Sequence, residues 1–569
     1  MVRIPVALLT LTLAAGTSAQ PAPFALGGPQ EDVAYAVDVT PDGAFAIGGT
    51  TFGGYDADPG PGETVVPSGG SKDGFAAVYG PDGTLRFVVP FGPPGPSAVD
   101  DVFDVALGPS GELAVVGQVG ETLDLDPGPG ETIIEAPGFA VYVFVAIYAP
   151  DGALRTGFTL PGADFEQRGY VAFDDAGDLY VAVSVSNPTD LDPGPGEAVV
   201  DGFRSATLAS YTGAGAFRWG FALDGAQYRA RGLDVAGDRV ALTGNALGTV
   251  DVDPGPAVQE ITGEGITNWL TATYTTDGAL ASAFVVGGSA FGTVSDVALD
   301  ADGGIALVGT IDRDADFDPG PGSTILSGTG NGFDGLGAVA AYAPDATLRY
   351  AFGVGTVRPR GVALADGRLV YTGHFEEDFD ADPGAGEAVV VPVAGYDVVT
   401  VSLDAAGAFE WASPVLGAGT GDNGLGVALT GGQSIVTGRF SDAVDVDPGA
   451  GVVELSSDSR SDFDVFVVAY DRAGALAALP TATDEAPDEM RALTVGPSPT
   501  AGPATVRLRG WPAARVEVVD LLGRSVAVLH DGPVRDGLVL ATPALAPGLY
   551  VVRAWGPEGT ASARLVLAR

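Results

Sequence analysis

The sequence predicts an all-β protein: a seven-bladed β-propeller of four-stranded antiparallel blades, followed by a small C-terminal β-sandwich. Three observations predict it. The string Asp-x-Asp-Pro-Gly occurs seven times, with its second Asp at Asp58, Asp126, Asp192, Asp253, Asp318, Asp382 and Asp447, at separations of 61 to 68 residues. Each interval holds four short apolar segments divided by tight-turn chemistry. The chain carries 86 Gly and 42 Pro yet is 46% hydrophobic, which suits many short strands better than disorder. A period this regular marks one supersecondary unit that cannot bury its own faces and stacks on copies of itself.

Within a unit the elements keep one order. A first apolar strand, as in Val102–Leu107 or Val427–Leu429, leads into a turn such as Pro41-Asp42-Gly43 or Asp302-Gly303-Gly304. The second strand ends in Gly, as at Leu113–Gly117, Val240–Gly244, Ile305–Gly309 and Ser434–Gly438. The Asp-x-Asp-Pro-Gly loop follows. A third strand, such as Tyr142–Tyr148 or Val465–Tyr470, turns through Tyr79-Gly80-Pro81-Asp82-Gly83 or its equivalents into a fourth strand carrying an aromatic, as in Leu85–Phe91 and Leu348–Phe352. Small residues in the first strand (Ala36, Gly361, Gly426) fit the crowded centre of a ring. Four antiparallel strands repeated seven times is the pattern of a propeller. A β-solenoid would need atypical capping repeats, and none is present.

The ends of the repeat array predict how it closes. Ala22-Pro23-Phe24-Ala25-Leu26-Gly27-Gly28 reads like the fourth strands Phe221–Gly225 and Phe284–Gly288, whereas the last repeat ends weakly at Ala475–Leu479. The N-terminal segment is therefore expected to supply the outer strand of the seventh blade, removing an exposed edge.

The flanks read as export signals. Arg3, the apolar stretch Ile4–Ala15 and the small residues Thr17-Ser18-Ala19 read as a signal peptide over 1–19. The stretch is too short to span a bilayer, and no later segment reads as transmembrane. The propeller occupies 20–480, an acidic proline-containing linker 481–492, and the sandwich 493–569. Net charge is −46, a field that repels nucleic acid and anionic lipid. There is no cysteine, and the two histidines, His374 and His530, lie in different domains. Disulfides, thiolate chemistry and most hydrolase triads are thereby excluded.

The repeats resemble the bacterial β-propeller family called SBBP, through the first hairpin Asp101–Gly117, the loop Asp316–Gly322 and the hairpin Ala146–Arg155. The resemblance implies an extracellular propeller with no catalytic residues to carry over. The tail is similar to a type IX secretion C-terminal sorting domain. The matching segments are Gly496-Pro497-Ser498-Pro499, Val518–Arg524, Pro547–Val552 and Ala563–Leu567, with Ser498 where the family has asparagine. This implies recognition by the type IX machinery, removal of the tail near the linker, and release or attachment at the outer-membrane surface.

The repeated loops are the candidate metal sites. The possible calcium ligands are Asp56, Asp58 and Glu63; Asp124, Asp126 and Glu131; Asp190, Asp192 and Glu197; Asp251 and Asp253; Asp316 and Asp318; Asp380, Asp382 and Glu387; and Asp445 and Asp447. Two Asp on one side of an extended segment, glycine carbonyls and a returning Glu offer four or five of the six to eight oxygens that Ca2+ takes. The other reading is structural, since Asp side chains accept from turn N–H groups and Pro-Gly fixes the turn. His374 beside Glu376 and Glu377 reads as a surface histidine, and Trp219, Trp269 and Trp411 as packing between blades. No catalytic residue and no cofactor other than Ca2+ is expected. The resulting expectation is a secreted or cell-surface, monomeric, non-enzymatic module that binds a glycan, matrix polymer or protein. A polysaccharide hydrolase or lyase on the same scaffold, and a calcium-dependent structural surface component, are the alternatives.

Overall fold

The computed structural model describes residues 23–477 apart from 61, 69–71, 93–99, 121, 129, 137–141, 162–167, 226, 264–266, 289–291, 329–334 and 458–461, together with the strands between 492 and 567 and a few residues beside them. The signal-peptide residues 1–19 and nearly all of the linker 481–492 lie outside the described residues. Among the described residues every regular element is a β-strand, and no helix is long and apolar enough to cross a membrane. The chain divides into two compact units, Met1–Thr481 and Ala482–Arg569.

In the first unit strands pair antiparallel in runs of four; four of these runs stand as separate sheets, and three are joined into a six-stranded and a ten-stranded sheet. Strands Asp32–Val39, Phe45–Phe52, Lys72–Tyr79 and Leu85–Phe91 form the first run, pairing in sequence order. The innermost strands of the next six are Asp101–Leu107, Tyr170–Phe173, Tyr228–Ala236, Gly292–Leu299, Arg358–Ala365 and Asn423–Thr430. Each of these seven contacts the next, and the seventh contacts the first. Second and third strands are buried along nearly their whole length, as in Phe45–Phe52 and Ser205–Tyr211, so they show no alternation of buried and exposed positions. Outer strands such as Leu154–Leu160 alternate, because one face meets solvent.

Tight turns carry the strand order. Gly43 sits at φ +87°, and its N–H donates to the Thr40 carbonyl at 2.9 Å, closing the first hairpin. Gly83, at φ +75°, does the same toward Gly80 in the third-to-fourth turn. Both positions lie where a β-branched residue is strained.

The chain closes on itself through Phe24–Leu26. This strand pairs antiparallel with Asp464–Tyr470, with Phe24 opposite Val467 and Leu26 opposite Val465, and becomes the outer strand of the seventh sheet. Phe24 and Leu26 join Phe45, Tyr79, Ile435 and Val465 in one core cluster that spans the first and last sheets. Further ties are Asp32 N–H to the Phe463 carbonyl at 2.6 Å, the Thr430 hydroxyl to the Thr40 carbonyl at 3.1 Å, and the ion pair Arg439–Glu31 at 3.0 Å.

The second unit holds two antiparallel sheets. One joins Ala492–Gly496, Thr505–Arg509 and Leu538–Ala541; the other joins Ser525–Pro533, Ala513–Asp520, Gly548–Gly556 and Gly559–Leu567. Of these seven strands, Gly548–Gly556 and Gly559–Leu567 contain the segments Leu549–Val552 and Ala563–Leu567 that match the sorting domain. Ala492–Gly496 starts at the expected linker boundary, where the preceding proline and acids mask the apolar alternation.

Candidate functional site

Each Asp-x-Asp-Pro-Gly segment forms a two- or three-residue hairpin whose carboxylates face backbone. In the second repeat, Asp124 Oδ1 accepts from the N–H of Asp126 at 3.0 Å and of Thr132 at 2.8 Å, and Asp126 Oδ1 accepts from Gly128 at 2.8 Å. The same three bonds recur with Asp56 and Asp58, Asp190 and Asp192, Asp251 and Asp253, Asp316 and Asp318, Asp380 and Asp382, and Asp445 and Asp447. The residue between the two Asp (Ala57, Leu125, Leu191, Val252, Phe317, Ala381, Val446) is buried in every copy. In five copies a buried tyrosine also donates to its carbonyl, as Tyr148 does to Leu125 at 2.9 Å.

Glycine is required in the loop because a Cβ at Gly130 or Gly196 would collide with Oδ2 of Asp126 or Asp192. Glu63, Glu131, Glu197 and Glu387 are exposed and join none of these bonds. Among the described residues no three of His, Asp and Glu are grouped as a metal site would need. The hairpins also pair with the end of the preceding sheet's outer strand, Gly287 opposite Asp316 and Leu416 opposite Asp445.

The more distinctive surface is a channel of about 480 Å³ lined by all seven innermost strands. Six of these strands carry a bulge at the same place, where one residue drops out of the pairing register: Tyr35, Phe103, Arg231, Ser295, Arg360 and Leu425. A bulge leaves its extra residue unpaired and re-aims the side chain. Tyr35, Phe103, Ser295, Arg360 and Leu425 line the channel. The next residue is small or acidic in all six copies (Ala36, Asp104, Gly232, Asp296, Gly361, Gly426), while the bulged residue differs from copy to copy.

Four carboxylates stitch the channel wall. Asp38 accepts from its neighbour Val39 at 2.7 Å and from Leu107 of the next sheet at 2.7 Å. Asp104 bonds Val105 and Val171, Asp234 bonds Val235 and Leu299, and Asp296 bonds Val297 and Val362, at 2.6 to 3.0 Å. Crowding by the wall raises all four carboxyls above their usual range. Asp38 and Asp234 reach about 6 and Asp296 about 7, while Asp104 reaches about 8 with Asp296 and Asp38 adding like charge. These residues escape a motif search for triads or metal spacings. Their signal is an Asp-Val pair inside an otherwise apolar first strand, repeated in four of the seven units.

Arginines gather beside this wall. Burial, and then the like charges of Arg168, Arg358, Arg231 and Arg439, lower the pKa of Arg360. Arg168 lies over the Tyr35 ring at 4.4 Å, and Arg358 donates to the Gly335 carbonyl at 3.1 Å. The expected surface histidine is instead buried: His374 Nδ1 meets Asn423 Oδ1 at 2.9 Å, and its ring packs edge-on against Tyr396. Burial and the nearby Arg360, Arg358 and Arg439 push its pKa down to about 4, so it is neutral at physiological pH. His374 lies on the fully buried strand Arg368–Phe375 and Glu376 and Glu377 follow its end, which is why the acidic neighbours mislead. Trp269 and Trp411 are buried, and Trp219 stacks on Phe221 with its Nε1 donating to the Thr276 carbonyl at 3.1 Å, all packing roles.

No family model and no curated protein matches the chain. Among solved structures it is similar to a subtype N10 neuraminidase-like protein of A/little yellow-shouldered bat/Guatemala/060/2010, at 9% identity and TM-score 0.30, over 66% of this chain and 92% of that one. It is also similar to the PQQ-bound aldose sugar dehydrogenase of Streptomyces coelicolor, at 10% identity and TM-score 0.28, over 66% and 98%. A third is prolyl oligopeptidase B of Galerina marginata, at 10% identity and TM-score 0.35, over 85% and 56%.

Proposed function

We propose that residues 20–480 are a seven-bladed β-propeller acting as a non-enzymatic binding module at or beyond the cell surface, with its ligand at the mouth of the central channel. One observation carries this reading: a repeated scaffold surrounds a channel whose bulged lining residues are not repeated. Seven copies share their core, turns and loop hairpins, yet in five of them the bulged residue lines the channel and varies from Tyr to Phe, Ser, Arg and Leu. A side chain that changes at a fixed backbone irregularity is what a binding site grafted on a rigid frame requires. The Asp-x-Asp-Pro-Gly loops serve as hairpin locks in this reading, their carboxylates engaged by backbone N–H groups.

The resemblance of the tail supports a sorting role for the second unit as a small β-sandwich, with 1–19 as signal peptide and 481–492 as the cleavable linker. The test is to incubate the purified full chain with a panel of soluble polysaccharides and matrix proteins, measuring retention and product release together. Retention without release is the expected result. Reducing-end or unsaturated product would replace this reading with a hydrolase or lyase.

A further inference from the structure

We propose that the channel mouth binds the carboxylate of an acidic sugar, held by Arg360 and Arg168 with Arg231 close by, and with the sugar ring against Tyr35, Phe103 or Tyr170. The inference rests on the reading of the channel as the binding site and adds the chemical class of its ligand.

The charge balance is the first argument. The chain has 73 acidic and 27 basic residues, so an arginine without a carboxylate beside it is the exception. Arg168, Arg358, Arg231 and Arg439 nevertheless lie close enough to Arg360 to disfavour its charge, and Arg168 and Arg360 both line the channel. Arg439 pairs with Glu31. Among the described residues no carboxylate pairs with Arg231 or Arg360, and the buried Nε of Arg231 has no hydrogen-bond partner. Concentrating like charge without a counter-ion raises the free energy of the empty site. A bound anion removes that penalty.

Geometry supplies the second argument. Arg231 and Arg360 are both bulged residues, so their position depends on the register irregularity described above. A bulge at the same point places Tyr35 and Phe103, and Tyr170 lines the same channel. One of these rings already carries a guanidinium, Arg168 over Tyr35. Flat aromatic faces accept sugar rings, and guanidinium forks match planar carboxylates.

The acids beyond the mouth narrow the class. Asp38, Asp104, Asp234 and Asp296 spend one lone pair per bonded oxygen on backbone and keep others for donors. They offer oxygens to hydroxyls, and Asp38 and Asp234, the pair raised least, add the negative charge that disfavours a polyanion. A singly charged, hydroxyl-rich ligand suits both zones, and a polysulfate or polyphosphate suits only the first. The volume, about 480 Å³, falls within the few hundred to thousand Å³ of small-molecule sites.

The experiment uses the full chain and three oligosaccharides of equal length: an oligogalacturonate, a neutral oligogalactoside and a sulfated analogue, titrated calorimetrically at two salt concentrations. The oligogalacturonate is expected to bind, more weakly at high salt, and Arg360→Gln and Arg231→Gln each to weaken it about tenfold, which equals about 1.4 kcal/mol. Without ligand, Arg360→Gln is expected to melt at the same temperature or higher, because it relieves repulsion. A lower melting temperature would make Arg360 a structural partner and overturn the proposal. Preference for the neutral or sulfated sugar, with binding still lost in Tyr170→Ala, would overturn the ligand class while keeping the channel. Sugar binding untouched by all three substitutions would overturn the channel reading itself, and the absence of any binding would overturn the acidic-sugar assignment.

Discussion

Ring closure through Phe24–Leu26 gives a prediction whose size follows from the packing. Phe24 is 5% and Leu26 3% exposed, and the Phe24 ring lies 5.5 Å from that of Tyr79 and 6.5 Å from that of Phe45. Truncating a buried Phe to Ala costs about 3–5 kcal/mol and a buried Leu about 2–5 kcal/mol. An outer strand relaxes more readily than a central one, so Phe24→Ala with Leu26→Ala is expected to remove about 6 kcal/mol. Unfolding entropy of about 2.1 cal/mol/K per residue, over roughly 450 residues, gives about 1 kcal/mol per degree. The melting temperature should then fall by about 6 °C, read by calorimetry. Hydrogen exchange should accelerate along Asp464–Tyr470, which loses its outer partner, and along Phe45–Phe52, whose Phe45 loses its aromatic neighbour. A melting temperature unchanged within about 1 °C would refute the closure, because two well-packed side chains cannot be deleted from a cooperative core without effect.

Two further outcomes follow from the carboxylates. Asp124→Ala leaves the N–H groups of Asp126 and Thr132 without their acceptor and should cost about 2 kcal/mol, equally in EDTA and in millimolar calcium; a calcium-dependent rise in melting temperature that Asp124→Ala abolishes would make the loops metal sites. The channel acids set the pH response: their folded pKa values, about 6 to 8, lie above the unfolded value near 3.8. The folded chain therefore holds protons that the unfolded chain has released, so stability falls as pH rises between about 4 and 8. The expected melting temperature is higher at pH 5.5 than at pH 8, with Asp104→Asn reducing the difference; a higher value at pH 8 would contradict the sign.

Much of the fold is readable because its determinants are local. Gly43 and Gly83 declare their turns through a backbone conformation that few other residues adopt, and Phe24-Ala25-Leu26 declares its place by likeness to other fourth strands. The loop acids are readable as a motif but not as a function, since identical residues serve calcium or a hairpin depending on where the oxygens point. Their orientation is set by backbone N–H groups that only the folded turn brings together. His374 is misread for the same reason: the acids that follow it are adjacent in sequence, whereas Asn423 reaches it from the next sheet and Arg360 from the paired strand of its own.

The channel residues are the least legible, and the cause is register. Whether Arg231 or Arg360 points into a wall or into a lumen depends on a one-residue slip in pairing, and a slip of one residue reverses every side chain on the strand. Nothing within Tyr228–Ala236 or Arg358–Ala365 alone shows that slip. It becomes visible when the copies are superposed: the small or acidic residue after the bulge (Ala36, Asp104, Gly232, Asp296, Gly361, Gly426) keeps its place while its predecessor changes from Tyr to Phe, Arg, Ser, Arg and Leu. In a repeat protein the shared positions report what the scaffold needs. A side chain that changes while the bulge beneath it stays in place is free of that demand, and in five copies it lines the channel.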